Sequence, residues 1–95
     1  MDLDTLLAQI RQTKPDWPQM NIKRLALFGS HATGTAHSDS DVDLLVEFIE
    51  TPDFFEFVRT KERLEARLDT SVDLVTFRAL KSPRQQHILK DAIDV

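Results

Sequence analysis

The chain has 95 residues, 41% hydrophobic and 29% charged, which predicts one soluble domain over residues 1–95. It contains no cysteine, which excludes disulfides, thiolate metal sites and a thiol nucleophile. A formal net charge of −4 argues against broad nucleic-acid binding. No apolar run is long enough for a membrane span or a secretory signal, so we expect no membrane association and a cytoplasmic location.

The first half of the chain predicts a helix followed by a strand. Apolar residues recur at helical spacing over residues 2–12, and a loop with two prolines follows over residues 14–22. Residues 24–28 (RLALF) predict a buried strand. Gly29 and Gly34, the two glycines of the chain, come directly after it and predict a tight turn into a helix.

The second half alternates strands and helices. Residues 42–48 (VDLLVEF) and 72–77 (VDLVTF) predict strands, and a helix starting at Thr51-Pro52 continues to residue 68 between them. A final helix starts around Pro83. The apolar residues predicted to face inward are Phe54, Phe57, Val58, Leu64 and Leu68 on the first helix, and Ile88, Leu89, Ala92 and Ile93 on the second. The order α-β-α-β-α-β-α predicts an α/β (α+β) fold, a small mixed three-stranded sheet flanked by helices.

Aspartates stand at corresponding positions of two predicted strands. Asp41 and Asp43 project to one side of their strand, because side chains alternate, and Asp73 repeats the local pattern V-D-L of Asp43. If the strands are neighbours, three carboxylates converge. Two such charges about 4 Å apart repel by roughly 4 kcal/mol at an effective dielectric of 20. A hard divalent cation such as Mg²⁺, Mn²⁺ or Ca²⁺ would turn that repulsion into attraction.

These aspartates allow two other interpretations. They could form a solvated turn, because a D-x-D pattern without further motif residues often has no function. Asp39, Asp41, Asp43 and Glu50 also match positions 1, 3, 5 and 12 of an EF-hand loop. That loop needs glycine at its sixth position, where this chain has Leu44, so we reject the EF-hand.

Gly29-Ser30 offers a second feature that fits the metal hypothesis. A strand that ends in glycine and serine before a helix presents free backbone N–H groups, a hydroxyl and the positive end of a helix dipole, which together hold phosphate oxygens. A phosphate cradle beside metal-binding carboxylates is what nucleotidyl transfer requires, with two metal ions clamping an in-line displacement.

The combined pattern is G-S-x10-D-x-D, formed by Gly29-Ser30 and Asp41-Val42-Asp43. It resembles that of the DNA polymerase beta-like nucleotidyltransferase superfamily. Length and element order are most similar to the minimal nucleotidyltransferases, the antitoxin partners of HEPN-type toxins. Such proteins transfer AMP from ATP to a tyrosine of the toxin and silence its RNase activity.

The resemblance implies a role for each matching residue. Gly29 and Ser30 would contact the phosphates of ATP, the nucleotide triphosphate. Asp41 and Asp43 would bind Mg²⁺, and Asp73 would complete the metal site and help to deprotonate the acceptor hydroxyl.

The chain departs from the common family pattern in the turn after Gly29-Ser30. Many relatives carry arginines there, where this chain has His31 and Thr33. His31 is either a phosphate contact or an exposed turn residue, and both remain open. The alternative function is a non-catalytic antitoxin that neutralises the toxin by complex formation. Transfer to a small molecule is a weaker hypothesis, because the chain has no room for an acceptor domain.

Overall fold

The structure is a computed structural model that describes residues 2–37, 40–80 and 83–95. Its helices are α1 Leu3–Arg11, α2 Gly29–Thr33, α3 Phe54–Leu68 and α4 Pro83–Asp91. Its strands are β1 Ile22–Phe28, β2 Val42–Phe48, β3 Val72–Thr76 and β4 Ile93–Asp94. Short 3₁₀ turns cover Lys14–Asp16, Pro18–Met20 and Phe77–Ala79. None of the helices in these ranges has the length and the apolar composition that crossing a bilayer requires.

The strands form one mixed sheet in the order β3-β2-β1-β4. β1 and β2 are antiparallel, whereas β2 and β3 are parallel and joined by α3, as a parallel pair requires a crossover connection. The mixed sheet flanked by helices confirms the predicted fold class. The predicted strand number was wrong, since the described residues form four strands rather than three.

The fourth strand also corrects the prediction for Ile93. The final helix ends at Asp91, and Ile93 pairs with Leu27 on the open edge of β1 instead of packing from a helix. Pairing satisfies backbone groups of β1 that an open edge would leave to solvent, which gives a physical reason for the short strand.

Apolar side chains cover both faces of the sheet. Val42, Leu44 and Val46 of β2 belong to the larger core, which also contains the buried residues of α1 and α3. Leu45 points to the other face and packs in a smaller core with Leu80. The alternation in β2 therefore places Asp43 on the same face as Leu45, because residues two apart share a face.

Two residues predicted to face inward are exposed. Phe54 is 74% exposed and Leu89 is 43% exposed. Asp53 caps α3 by accepting a hydrogen bond from the Glu56 amide at 2.8 Å, so the helix begins at Phe54 rather than at Pro52. The buried stripe of α3 contains Leu64 and Leu68, and Phe54 lies about a quarter-turn away from it.

Arg24 and Asp94 join β4 to the sheet through two parallel hydrogen bonds. Arg24 Nε donates to Asp94 Oδ1 at 2.9 Å and Nη2 donates to Oδ2 at 3.0 Å. The guanidinium also lies 4.4 Å above the ring of Phe77. The hydrogen bonds from Arg24 hold the pKa of the Asp94 carboxyl below its ordinary value.

We expect Asp94→Asn to lower the free energy of unfolding by at most about 1 kcal/mol at neutral pH, because this pair is exposed. Since the folded-state pKa of Asp94 is lowered, its contribution is present above the ordinary carboxyl pKa of 3.8 and disappears as the pH falls through the lower folded value. Urea unfolding of both proteins at pH 7, at pH 2 and in 1 M salt checks this. A difference that persists unchanged at pH 2 would contradict it.

Candidate active site

Asp43 and Asp73 lie side by side in the parallel pair of β2 and β3. The strand register makes them direct partners across the two strands. Asp43 is partly buried and Asp73 is exposed. Asp41 directly precedes β2 and is exposed. The structure therefore brings the carboxylates of Asp43 and Asp73 together, as the repeated V-D-L pattern suggested.

The Asp43 carboxyl is destabilised in its charged form. Burial raises its pKa above the ordinary value, and the negative charge of Asp73, the hydrogen bond to Asp73 and the charge of Asp41 act in the same direction. His31 acts in the opposite direction and lowers the pKa. A site that raises the pKa of a carboxyl favours any cation, a proton or a metal ion, that neutralises it.

Gly29 allows the Asp43 carboxylate to lie against the backbone. Phe28 pairs with Asp43 across β1 and β2, so the chain turns into α2 directly beside that side chain. Gly29 has a φ of +74°, and a Cβ there would overlap Asp43 Oδ2 and lie 2.9 Å from Asp43 Cγ. Glycine is required here for two reasons: the left-handed backbone conformation, and the absence of a Cβ that would collide with the Asp43 side chain.

The short helix α2 presents its first turn beside this carboxylate. Phe28 precedes the helix, and no side chain of the described residues caps it, which leaves its first amides open to a ligand. The C-terminal end of α2 is fixed by a hydrogen bond, in which the Thr35 amide donates to the Ser30 carbonyl at 2.9 Å. Thr33 Oγ1 donates to the Gly29 carbonyl at 3.2 Å. Gly29 and Ser30 are thus held in a fixed turn next to Asp43.

His31 is partly buried, which disfavours an exposed turn histidine. Its Nε2 lies 3.4 Å from the carbonyl oxygen of Ser40, directly before Asp41. Ser40 Oγ in turn accepts a hydrogen bond from the His37 amide at 2.8 Å. Sequence reasoning missed this contact, because it uses the main-chain carbonyl of Ser40, which any residue type would offer. His31 and Ser40 connect the turn to the loop that leads into β2.

The carboxylates suit a hard divalent cation. Oxygen ligands of this kind favour Mg²⁺, and the neutralisation of two adjacent carboxylates would remove their repulsion. Within the described ranges, no three histidine, aspartate or glutamate side chains already stand in position to ligate one ion. Asp39 lies outside the described residues. Leu44, in the middle of β2, agrees with the rejection of an EF-hand loop.

Comparisons with known proteins identify the family of this chain. Residues 9–95 match the family model described as "Polymerase beta, Nucleotidyltransferase". The protein adenylyltransferase MntA of Thermococcus cleftensis is 39% identical over 77 residues, which are 81% of this chain and 78% of that protein.

Two solved structures extend the likeness to the whole fold. A minimal nucleotidyltransferase superposes with a TM-score of 0.80 and 38% identity, covering 100% of this chain and 97% of that one. A toxin–antitoxin structure with AMP-PNP gives a TM-score of 0.67 and 26% identity, covering 99% of this chain and 72% of that one. The chain therefore belongs to the polymerase beta nucleotidyltransferase family and is a nucleotidyltransferase with the minimal fold.

Proposed function

We propose that this chain is an antitoxin that transfers AMP from ATP to a tyrosine hydroxyl of a HEPN-type RNase toxin, in a reaction that depends on Mg²⁺. The observation that carries the proposal is the contact between the Asp43 carboxylate, its strand partner Asp73 and the Gly29 turn. The likeness to a protein adenylyltransferase and to a toxin–antitoxin structure with AMP-PNP supports the nucleotide and the partner.

Each proposed role is the one that the resemblance to the nucleotidyltransferase family implies for that residue. Asp41, Asp43 and Asp73 would hold Mg²⁺, which when bound neutralises triphosphate charge and makes the acceptor hydroxyl more acidic. Gly29 and Ser30 would receive phosphate oxygens on the open amides of α2. Asp73, the more exposed of the two paired carboxylates, is placed to accept the proton of the incoming hydroxyl.

The proposed acceptor is a hydroxyl group of the toxin. The site lies at one end of the sheet, and Asp41 and Asp73 are exposed to solvent. The described residues include no second layer that could hold an acceptor over these carboxylates. We therefore propose that residues 1–95 act as a single domain in the cytoplasm and that the toxin closes the site when it presents its hydroxyl.

The intact mass of the toxin partner tests this proposal. After incubation with this chain, ATP and Mg²⁺, we expect the partner to gain one or more AMP units and to lose RNase activity. Asp41→Asn should abolish the gain, because it removes one of the three proposed Mg²⁺ ligands. Asp69→Asn, an exposed change of the same charge at the end of α3, is the matched control and should transfer normally.

The second candidate is a binding antitoxin without catalysis. The observation that favours it is the turn itself, which carries His31 and Thr33 but no arginine to neutralise phosphate charge. A partner of unchanged mass that still loses its RNase activity, with wild-type chain and with Asp41→Asn alike, would establish this candidate and exclude the transferase.

A further inference from the structure

Glu65, on α3, binds the segment that connects this helix to β3. Its side-chain Oε2 accepts a hydrogen bond from the Val72 amide at 3.0 Å. Its main-chain carbonyl accepts hydrogen bonds from the Asp69 amide, at the end of the helix, and from the Thr70 amide at 3.4 Å. Of these three contacts, only the bond from Val72 depends on the side chain of Glu65.

Val72 lies directly before Asp73, in a strand at the edge of the sheet. Among the described strands, β3 has β2 as its one neighbour. Amides of an edge strand that point away from the neighbouring strand have no partner within the sheet. On the inner side of β3, the Val42 amide donates to the Ser71 carbonyl at 2.9 Å. On the outer side, Glu65 binds the Val72 amide. The start of β3 is therefore held from both sides, one residue before Asp73.

The surroundings of Glu65 favour an ionised side chain. Lys61 Nζ, one helical turn earlier, lies 3.6 Å from Glu65 Oε2. The Glu65 side chain is 28% exposed, and Val72 is buried. A hydrogen bond to an ionised carboxylate is stronger than one between neutral groups, and partial burial strengthens it further. The bond can therefore resist a force that displaces the start of β3.

The repulsion between Asp43 and Asp73 is such a force. The two residues are direct partners across β2 and β3, and like charges in this position destabilise the pairing of the strands. The repulsion acts near the start of an edge strand, where β3 is bound by a strand on one side. The bond from Val72 to Glu65 opposes it at the neighbouring residue.

We infer that Glu65 is a positioning residue for the two paired carboxylates: through the Val72 amide it fixes the start of β3 and keeps Asp73 opposite Asp43. This inference deepens the proposed function and rests on it. Two carboxylates at a fixed separation can share one divalent cation, and a displacement of about 1 Å in such a site can slow catalysis about 100-fold. Glu65 acts through the backbone of β3 and takes no part in the reaction itself.

The first test is thermal unfolding in a chelator, which requires neither toxin nor metal. Asp43→Asn removes the repulsion and should raise the Tm. In a Glu65→Ala background this rise should be at most about half as large, because Asp73 is no longer held against Asp43. Glu65→Gln should preserve the full rise, since its side-chain oxygen still accepts the Val72 amide. Glu65→Asp keeps the charge but is one methylene shorter, so it should behave like Glu65→Ala and replaces that variant if it does not fold. Glu62→Ala, an exposed change on the same helix, is the matched control and should preserve the full rise.

The second test is the rate of AMP transfer to the toxin with ATP and Mg²⁺. Per folded molecule, Glu65→Ala should lower kcat at least about 10-fold and leave KM for the toxin within about 2-fold of wild type, whereas Glu65→Gln should keep kcat within about 3-fold. A rise in Tm equal to that in the Glu62→Ala background would overturn the inference, as would a kcat equal to that of this control. If the wild-type chain transfers no AMP, the transferase proposal fails, and the comparison of Tm values in the chelator still decides the role of Glu65.

Discussion

Asp43→Asn should lower the rate of AMP transfer at least about 10³-fold while making the metal-free protein more stable. On the proposed function, this change removes a charged metal ligand and with it an electrostatic contribution of several kcal/mol to the transition state, and each 1.36 kcal/mol is tenfold in rate. The gain in stability follows because burial and the charge of Asp73 both disfavour the Asp43 carboxylate. Like charges directly opposite on neighbouring strands cost about 0.2–1 kcal/mol.

Thermal unfolding measures the second half of this prediction. In a chelator at pH 7, Asp43→Asn should melt a few degrees above wild type, since about 1 kcal/mol shifts the Tm of a domain this size by about 4–8 °C. Millimolar Mg²⁺ should raise the Tm of wild type and leave the variant unchanged, because only the form that binds the ion is stabilised by it.

The pH dependence has a definite sign. The folded pKa of Asp43 is raised, so the carboxyl is fully protonated in both states below its ordinary value of 3.8 and costs nothing there. Metal-free wild type should lose stability relative to Asp43→Asn as the pH rises from 3.8 through the folded pKa, with a constant difference above it. Asp69→Asn should show none of these changes. A variant less stable than wild type in the chelator would contradict the repulsion between the paired carboxylates.

Gly29→Ala should destabilise the protein by about 2–4 kcal/mol and reduce transfer at least about 100-fold. The left-handed backbone of Gly29, with a φ of +74°, costs an alanine about 1–2 kcal/mol. The new Cβ would also overlap Asp43 Oδ2 and crowd Asp43 Cγ and Cβ, at 2.9 and 3.1 Å. The carboxylate must move away from the turn, which displaces a group that catalysis needs within a fraction of an ångström.

Gly34→Ala is the matched control for this change. Gly34 has a φ of +81°, but a Cβ there meets nothing within 4 Å. It should cost about 1–2 kcal/mol and leave the rate per folded molecule within a few-fold of wild type. Urea unfolding and initial rates of AMP transfer compare the two alanines. If the two alanine variants lose equal stability and equal rate, glycine is required at position 29 only for its left-handed backbone conformation.

A double-mutant cycle isolates the contact itself. In an Asp43→Ala background the Cγ and Oδ2 atoms are gone, so Gly29→Ala should cost less stability there than in wild type. The difference between the two costs measures the packing of Asp43 on Gly29.

The sequence predicts that Asp43 and Asp73 lie side by side, because strands impose a strict alternation. Because side chains alternate along residues 42–48, Asp43 points to the face of the sheet opposite to that of Val42 and Leu44. The same V-D-L triplet places Asp73 on the corresponding face of β3. Parallel pairing of the two strands then makes the aspartates partners. The spacing of glycine, serine and D-x-D identifies the family from local residues alone.

The features that sequence reasoning missed depend on tertiary contacts. β4 has two residues, too few to show a periodicity, and it forms because β1 offers an open edge and Arg24 binds Asp94. The sequence predicts Phe54 to face inward, because apolar spacing does not show where a helix begins. The start of α3 is set by the Asp53 cap instead. The contact between His31 and Ser40 joins a turn to a loop and has no local pattern.

The parallel pairing of Asp43 with Asp73 also bears on how the chain folds. The two residues are 30 positions apart, and they meet only after α3 has crossed over the sheet and β3 has aligned with β2. Contacts between residues this far apart in the sequence form late in folding, because the intervening chain must lose entropy before the contact contributes stability. We therefore expect the charge repulsion between these two aspartates to arise only when β3 joins β2.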